Sequence, residues 1–168
     1  MMRYYQGNEY YHVEDKGAYK KISSAQGAYK IELYVNHPDQ SPDEIIDDLA
    51  GKKGATMDDV EIEAVIHRGH SYNLDNTMPY FSRDNVFVVL GSCGGFNNVS
   101  RLLDIAPDAQ IASTKQMGTM FVNDPLLYHL NETIRAHGEI DWADQQNYLD
   151  SLSNANKSAY VLPHKNAP

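Results

Sequence analysis

Residues 60–95 read VEIEAVIHRGHSYNLDNTMPYFSRDNVFVVLGSCGG, and the fold turns on how this stretch is read. It holds two apolar runs, 62–66 and 86–90. Each is short, rich in β-branched residues and bounded by polar residues or glycine, the pattern of a buried strand. The first run leads into His67-Arg68-Gly69-His70 and the second into Gly91-Ser92-Cys93-Gly94-Gly95. The single cysteine and a histidine pair therefore stand just past the carboxyl ends of two strands. In open α/β sheets that edge is where ligands bind.

The flanking chain supplies alternating elements. Residues 1–27 are polar and tyrosine-rich, with a strand or hairpin signal around residues 9–13 and turns at Gly17 and Gly27. They read as an extension or edge hairpin. The alternation in AYKIELYV predicts a strand over 28–35. A helix is predicted over 43–50, with Ser41 or Asp43 as its cap, Pro42 at its first position and Gly51 at its end. A short helix or turn follows at 74–81, then a helix at 96–105 and a strand at 109–113. The clearest helix covers 123–136, opened by Asp124 and Pro125 and closed by Gly138. A last helix covers 141–152, and 153–168 reads as a polar tail. Strands alternating with helices over 28–152 predict an α/β domain: a mostly parallel sheet with helices on both faces.

Composition narrows the function classes. The 168 residues carry a net charge of −9 without a Lys/Arg cluster, which argues against a nucleic-acid or anionic-membrane partner. No apolar run approaches the roughly 20 residues of a membrane span. The opening MMRYYQGNEYY lacks the apolar stretch of a signal peptide. One cysteine makes no internal disulfide, so a free thiol in a reducing, cytoplasmic setting is expected if the chain is complete. A piece of a larger multidomain chain is the alternative.

Chemistry concentrates at Cys93 and the histidines. A cysteine between a strand and a helix start meets free backbone N–H groups and the positive end of the helix dipole, both of which favour a thiolate. Gly94 and Gly95 clear space beside the sulfur, and the Ser92-Cys93-Gly94 amides offer donors to an oxyanion. The competing reading is a small buried hydrophobe at a strand end. His67 continues the apolar run and reads as a hydrogen-bonded core histidine. His70 lies beyond Gly69, where the chain can turn towards Cys93 and the imidazole can take its proton. A zinc site of His67, His70 and Cys93 lacks a good fourth ligand. A phosphate-cradling cysteine loop is disfavoured because the first arginine after Cys93 is Arg101. Gly91-Ser92-Cys93-Gly94 also misses the Gly-x-Ser-x-Gly spacing of a serine nucleophile.

At these residues the chain resembles the caspase-like cysteine peptidases of clan CD, nearest to the CHAT-type branch. Val65-Ile66-His67-Arg68-Gly69-His70-Ser71 is similar to the family's strand ending in His-x-x-His-Gly. Val88-Val89-Leu90-Gly91-Ser92-Cys93-Gly94-Gly95 is similar to its strand ending in Ser/Ala-Cys and small residues. The resemblance extends weakly through 121–149 and covers about residues 28–150. It implies a caspase-like three-layer sandwich, His70 as general base, Cys93 as nucleophile and His67 as a structural companion. Ser71 stands where the family has a glycine whose amide serves the oxyanion, and the two motifs are closer together than in most members. Ser71 and Gly94 are the oxyanion-side candidates, and Ser113 and Lys115 the candidates for lining the substrate cleft. Asp75, Asp124 and Asp141 are candidate specificity carboxylates, each with a capping or surface role as its alternative.

Two functions follow from this reading. One is a cysteine endopeptidase acting on a peptide or protein substrate through a Cys93–His70 dyad, with no metal and no cofactor implied. The other is an inactive caspase-like module that binds a peptide or protein without cleaving it.

Overall fold

The structure is a computed structural model that describes residues 1–164; residues 165–168, the end of the expected polar tail, lie outside the described residues. The chain divides into two units. The first comprises Met1–Glu61 and Tyr128–Ile140, and the second Ile62–Leu127 with Asp141 onward.

The first unit contains β1 (Tyr11–Asp15), β2 (Tyr19–Ser24), β3 (Glu32–Asn36) and α1 (Asp43–Ala50). The three strands form an antiparallel sheet in the order β1-β2-β3, with Val13 opposite Ile22 and Ile22 opposite Leu33. The expected strand at 28–35 is corrected here. Its first residues are drawn out of the sheet, because the Ala28 and Tyr29 amides donate to the Arg135 carbonyl at 2.7 and 3.2 Å. The strand proper starts at Glu32 and pairs with β2, not with the parallel strands downstream. Tyr5, Tyr11 and Ile22 form the buried centre of this unit. Helix α1 matches its expected bounds and ends at Gly51, whose φ of 67° is the left-handed conformation that glycine tolerates.

The second unit holds a four-stranded sheet in the order β4-β5-β6-β7. After β4 (Ala64–His67) comes a turn and α2 (Leu74–Thr77); after β5 (Phe87–Leu90) come a 3-10 turn and α3 (Val99–Leu103). Then follow β6 (Gln110–Thr114), α4 (Met120–His137, of which Met120–Leu127 belong to this unit), α5 (Trp142–Ser151) and β7 (Tyr160–Val161). The strands β4, β5 and β6 are parallel; β7 is antiparallel to β6. This is a mixed α/β unit with a mostly parallel sheet, as the alternation of elements predicted.

Every residue of β5 is buried. Val88 and Leu90 meet Leu74 and Met78 on one side of the strand, together with Leu102 of α3 and Ala106 beyond it. Phe87 and Val89 point the opposite way and are buried too, so both faces of the central strand are covered. A second cluster gathers Val122 and Leu126 of α4, Leu149 of α5 and Tyr160 of β7.

Several bounds differ from expectation for local reasons. Helix α4 starts at Met120, not 123, because the Thr119 carbonyl accepts from the Val122 and Asn123 amides at 3.0 and 2.8 Å. Pro125 thus sits inside its second turn. Only 99–103 of the expected 96–105 helix is α-helical; Gly95–Asn98 is a 3-10 turn preceded by Gly94 at φ 67°. Residues 160–161, read as tail, complete the sheet edge.

Candidate functional site

Strand register sets the geometry of the site. His67 pairs with Leu90, and Leu90 with Ser113, so three parallel strands end in line at one sheet edge. His70 lies three residues beyond His67, and Cys93 three residues beyond Leu90. The two motifs therefore leave neighbouring strands at matched positions on the carboxyl edge, and the parallel pairing expected of the two apolar runs is observed.

His67 is buried and engaged at both ring nitrogens. Its Nε2 lies 3.2 Å from the His70 carbonyl oxygen and its Nδ1 2.9 Å from the Thr77 hydroxyl. A carbonyl only accepts, so Nε2 carries the proton and, in the neutral ring, Nδ1 accepts from Thr77. Burial pushes this imidazole below its ordinary pKa, and the bond to the His70 carbonyl opposes the shift. With both nitrogens used, His67 is an anchor for the turn that carries His70. His70 itself is exposed in an extended conformation, and its ring stacks on Tyr72 with centroids 5.0 Å apart and planes 8° from parallel.

The Cys93 thiol is free and exposed, which removes the buried-hydrophobe reading. Its loop is held by neighbours that hydropathy does not reveal. The Thr114 hydroxyl, fully buried, donates to the Ser92 carbonyl and accepts from the Gly95 amide at 3.3 Å. Gly94 donates its amide to the Gln116 carbonyl at 2.8 Å. Asn123 donates to the Gly91 carbonyl at 2.9 Å and accepts from the Tyr160 hydroxyl at 2.8 Å. A Cβ on Gly118 would overlap the Gly91 carbonyl oxygen, so the β6–α4 connection lies directly on this loop. Beside Asn123, Asp124 is buried and pairs with Arg68 of the His67–His70 turn. Adjacent residues of α4 thus hold both motifs.

The remaining candidates take distinct places. Ser71 opens a 3-10 turn, and no non-glycine residue has a positive φ among the described residues, so the serine sits there without backbone strain. The amides of Ser71 and Cys93 have no hydrogen-bond partner among the described residues, whereas that of Gly94 is engaged by Gln116. Ser113 is buried within β6, while Lys115 is exposed with its Nζ 5.5 Å from the Phe96 ring centroid. Of the three carboxylates considered for specificity, Asp75 pairs with Arg101, Asp124 with Arg68, and Asp141 caps α5 by accepting from the Ala143 and Asp144 amides. Among the described residues no three His, Cys, Asp or Glu side chains converge as a metal-ligand set.

Sequence reading missed Thr77, Thr114, Asn123 and Tyr160. For Asn123 the available signal was a polar residue in an apolar neighbourhood, since with Asp124 it stands between Val122 and Leu126-Leu127.

No protein-family model matches this chain, and no curated protein or solved structure matches it either.

Proposed function

We propose that the second unit is a caspase-like cysteine peptidase domain in which Cys93 is the nucleophile and His70 the general base. The observation that carries this reading is the in-register pairing of His67 with Leu90, from which the two motifs leave at equal offsets. Exposure of both side chains supports it. In the reaction, His70 takes the thiol proton and the Cys93 sulfur attacks the scissile carbonyl carbon. The oxyanion forms where the uncommitted amides of Cys93 and Ser71 can donate to it. Collapse breaks the C–N bond, the imidazolium gives its proton to the leaving amine, and a thioester remains. Water, deprotonated by His70, attacks the thioester and releases the acid and the thiol.

A second reading keeps the fold and binds peptides without cleaving them. It is favoured by the stacking of the His70 ring on Tyr72, with no hydrogen bond to Cys93 among the described residues. Catalytic hydrogen bonds often tighten only in the substrate complex, so peptidase chemistry remains the stronger reading.

The test is the rate of iodoacetamide alkylation at neutral pH, read beside cleavage of a mixed peptide library by mass spectrometry. We expect His70→Ala to slow alkylation about tenfold or more and to abolish cleavage, within the usual range for a lost acid–base partner. Equal alkylation rates in the two proteins would remove His70 as the base. Alkylation that depends on His70, with no cleavage of any peptide, selects the binding module.

A further inference from the structure

The carboxyl edge around Cys93 carries an apolar rim. Nine large apolar side chains are exposed among the described residues, and five of them lie here: Tyr72 (76%), Phe96 (42%), Met117 (58%), Met120 (54%) and Phe121 (59%). Each is tied locally to a catalytic candidate. Tyr72 stacks on His70, and Phe96 follows Cys93 by three residues. Met117 follows Gln116, whose carbonyl holds the Gly94 amide. Met120 and Phe121 open α4 just past Gly118, which lies against the backbone of Gly91 and Ser92.

Charge at the rim is one-sided. Residues 91–100 and 115–123 contain no Asp or Glu, and Lys115 is the cation beside Phe96. Asp75, in the segment after His70, is paired with Arg101. A lysine or arginine side chain entering the rim would have to compete with Arg101 for Asp75, whereas an apolar side chain would remove exposed aromatic and methionine surface from water.

We propose that this site, on the acyl-transfer reading above, selects peptides with a large apolar residue, phenylalanine or leucine, at the position whose carbonyl Cys93 attacks. Phe96, Met117 and Phe121 are the specificity-determining residues.

The test uses four acyloxymethyl ketone probes that differ only in one side chain: Phe, Gly, Asp or Lys. Labelling transfers the thiol proton to His70 and forms an S–C bond as the C–O bond breaks, with the carboxylate leaving with the electron pair. Rates are read as intact mass. We expect the Phe probe to label Cys93 about tenfold or more faster than the Gly probe, the scale of discrimination an apolar pocket supplies. The Asp and Lys probes should be no faster than Gly. In the Met117→Ser/Phe121→Ser double variant the Phe-to-Gly ratio should collapse towards one. In Val86→Ser, an exposed residue before the amino end of β5, it should not change. A Phe-to-Gly ratio near one, with His70-dependent alkylation intact, overturns the specificity and leaves the dyad standing. A fastest Asp probe overturns it in favour of recognition by Lys115. Alkylation indifferent to His70 overturns both readings.

Discussion

Two histidines three residues apart should respond in opposite ways to the same substitution. His67→Ala removes a buried ring that bonds the Thr77 hydroxyl at 2.9 Å and the His70 carbonyl at 3.2 Å. Thr77 is half-buried and the His70 backbone exposed, so water can partly replace each bond. That places each loss near the low end, about 1 kcal/mol. The vacated space adds about 1 kcal/mol more, for a total of about 3 kcal/mol by these increments. At roughly 2–4 °C per kcal/mol for a chain of this size, Tm should fall by about 6–12 °C. His70→Ala removes an exposed side chain and should stay within about 0.5 kcal/mol. The readout is built in: Trp142 is the only tryptophan, is buried, and belongs to the same unit as both histidines. Its fluorescence during urea unfolding reports that unit, and alkylation of Cys93 is followed in parallel. Equal stability losses would refute the assignment of His67 as the anchor. If His67→Ala abolished fast alkylation while His70→Ala spared it, the base would have been misidentified.

Two further outcomes follow from the same loops. Because burial lowers the pKa of His67, the unfolded chain binds its proton first as pH falls; this contribution is fully present above about pH 6.5 and is lost on acidification, with a slope of up to about 1.4 kcal/mol per pH unit. The wild-type protein should therefore lose more stability than His67→Gln between neutral and mildly acidic pH, and parallel pH curves from urea unfolding would contradict this. Thr114→Val leaves the Ser92 carbonyl and the Gly95 amide unpaired and should cost about 1–3 kcal/mol for each, with faster hydrogen exchange at Gly95. Thr114→Ser should restore both, and unchanged exchange in the valine variant would count against the clamp.

The sequence made the site edge legible and left its supports hidden. Runs such as FVVL announce a strand buried on both faces, and a glycine-polar motif after each run marks where the strands stop. The antiparallel sheet of the first unit was faint because tyrosines, not aliphatic residues, supply much of its buried side, as Tyr11 and Tyr19 do. Strand β7 escaped because it is two residues long and because Tyr160 acts mainly through its hydroxyl, which accepts from the Thr119 amide and donates to Asn123. The role of Asp124 was misplaced for the opposite reason. An acidic residue before a proline reads as a helix opening, yet α4 had already begun and the carboxylate faces Arg68. Hydropathy records where polar groups are, not which loop they hold.

The interleaving of the chain bears on how the Cys93 loop is assembled during synthesis. Cys93 leaves the ribosome long before Tyr160, the residue that orients the Asn123 side chain holding the Gly91 carbonyl. The second unit also closes only after the chain has passed through Tyr128–Ile140 of the first. The order of translation therefore separates the appearance of the thiol from the arrival of the group that completes its support. A nascent chain that stops short of β7 carries Cys93 without the full clamp of its loop.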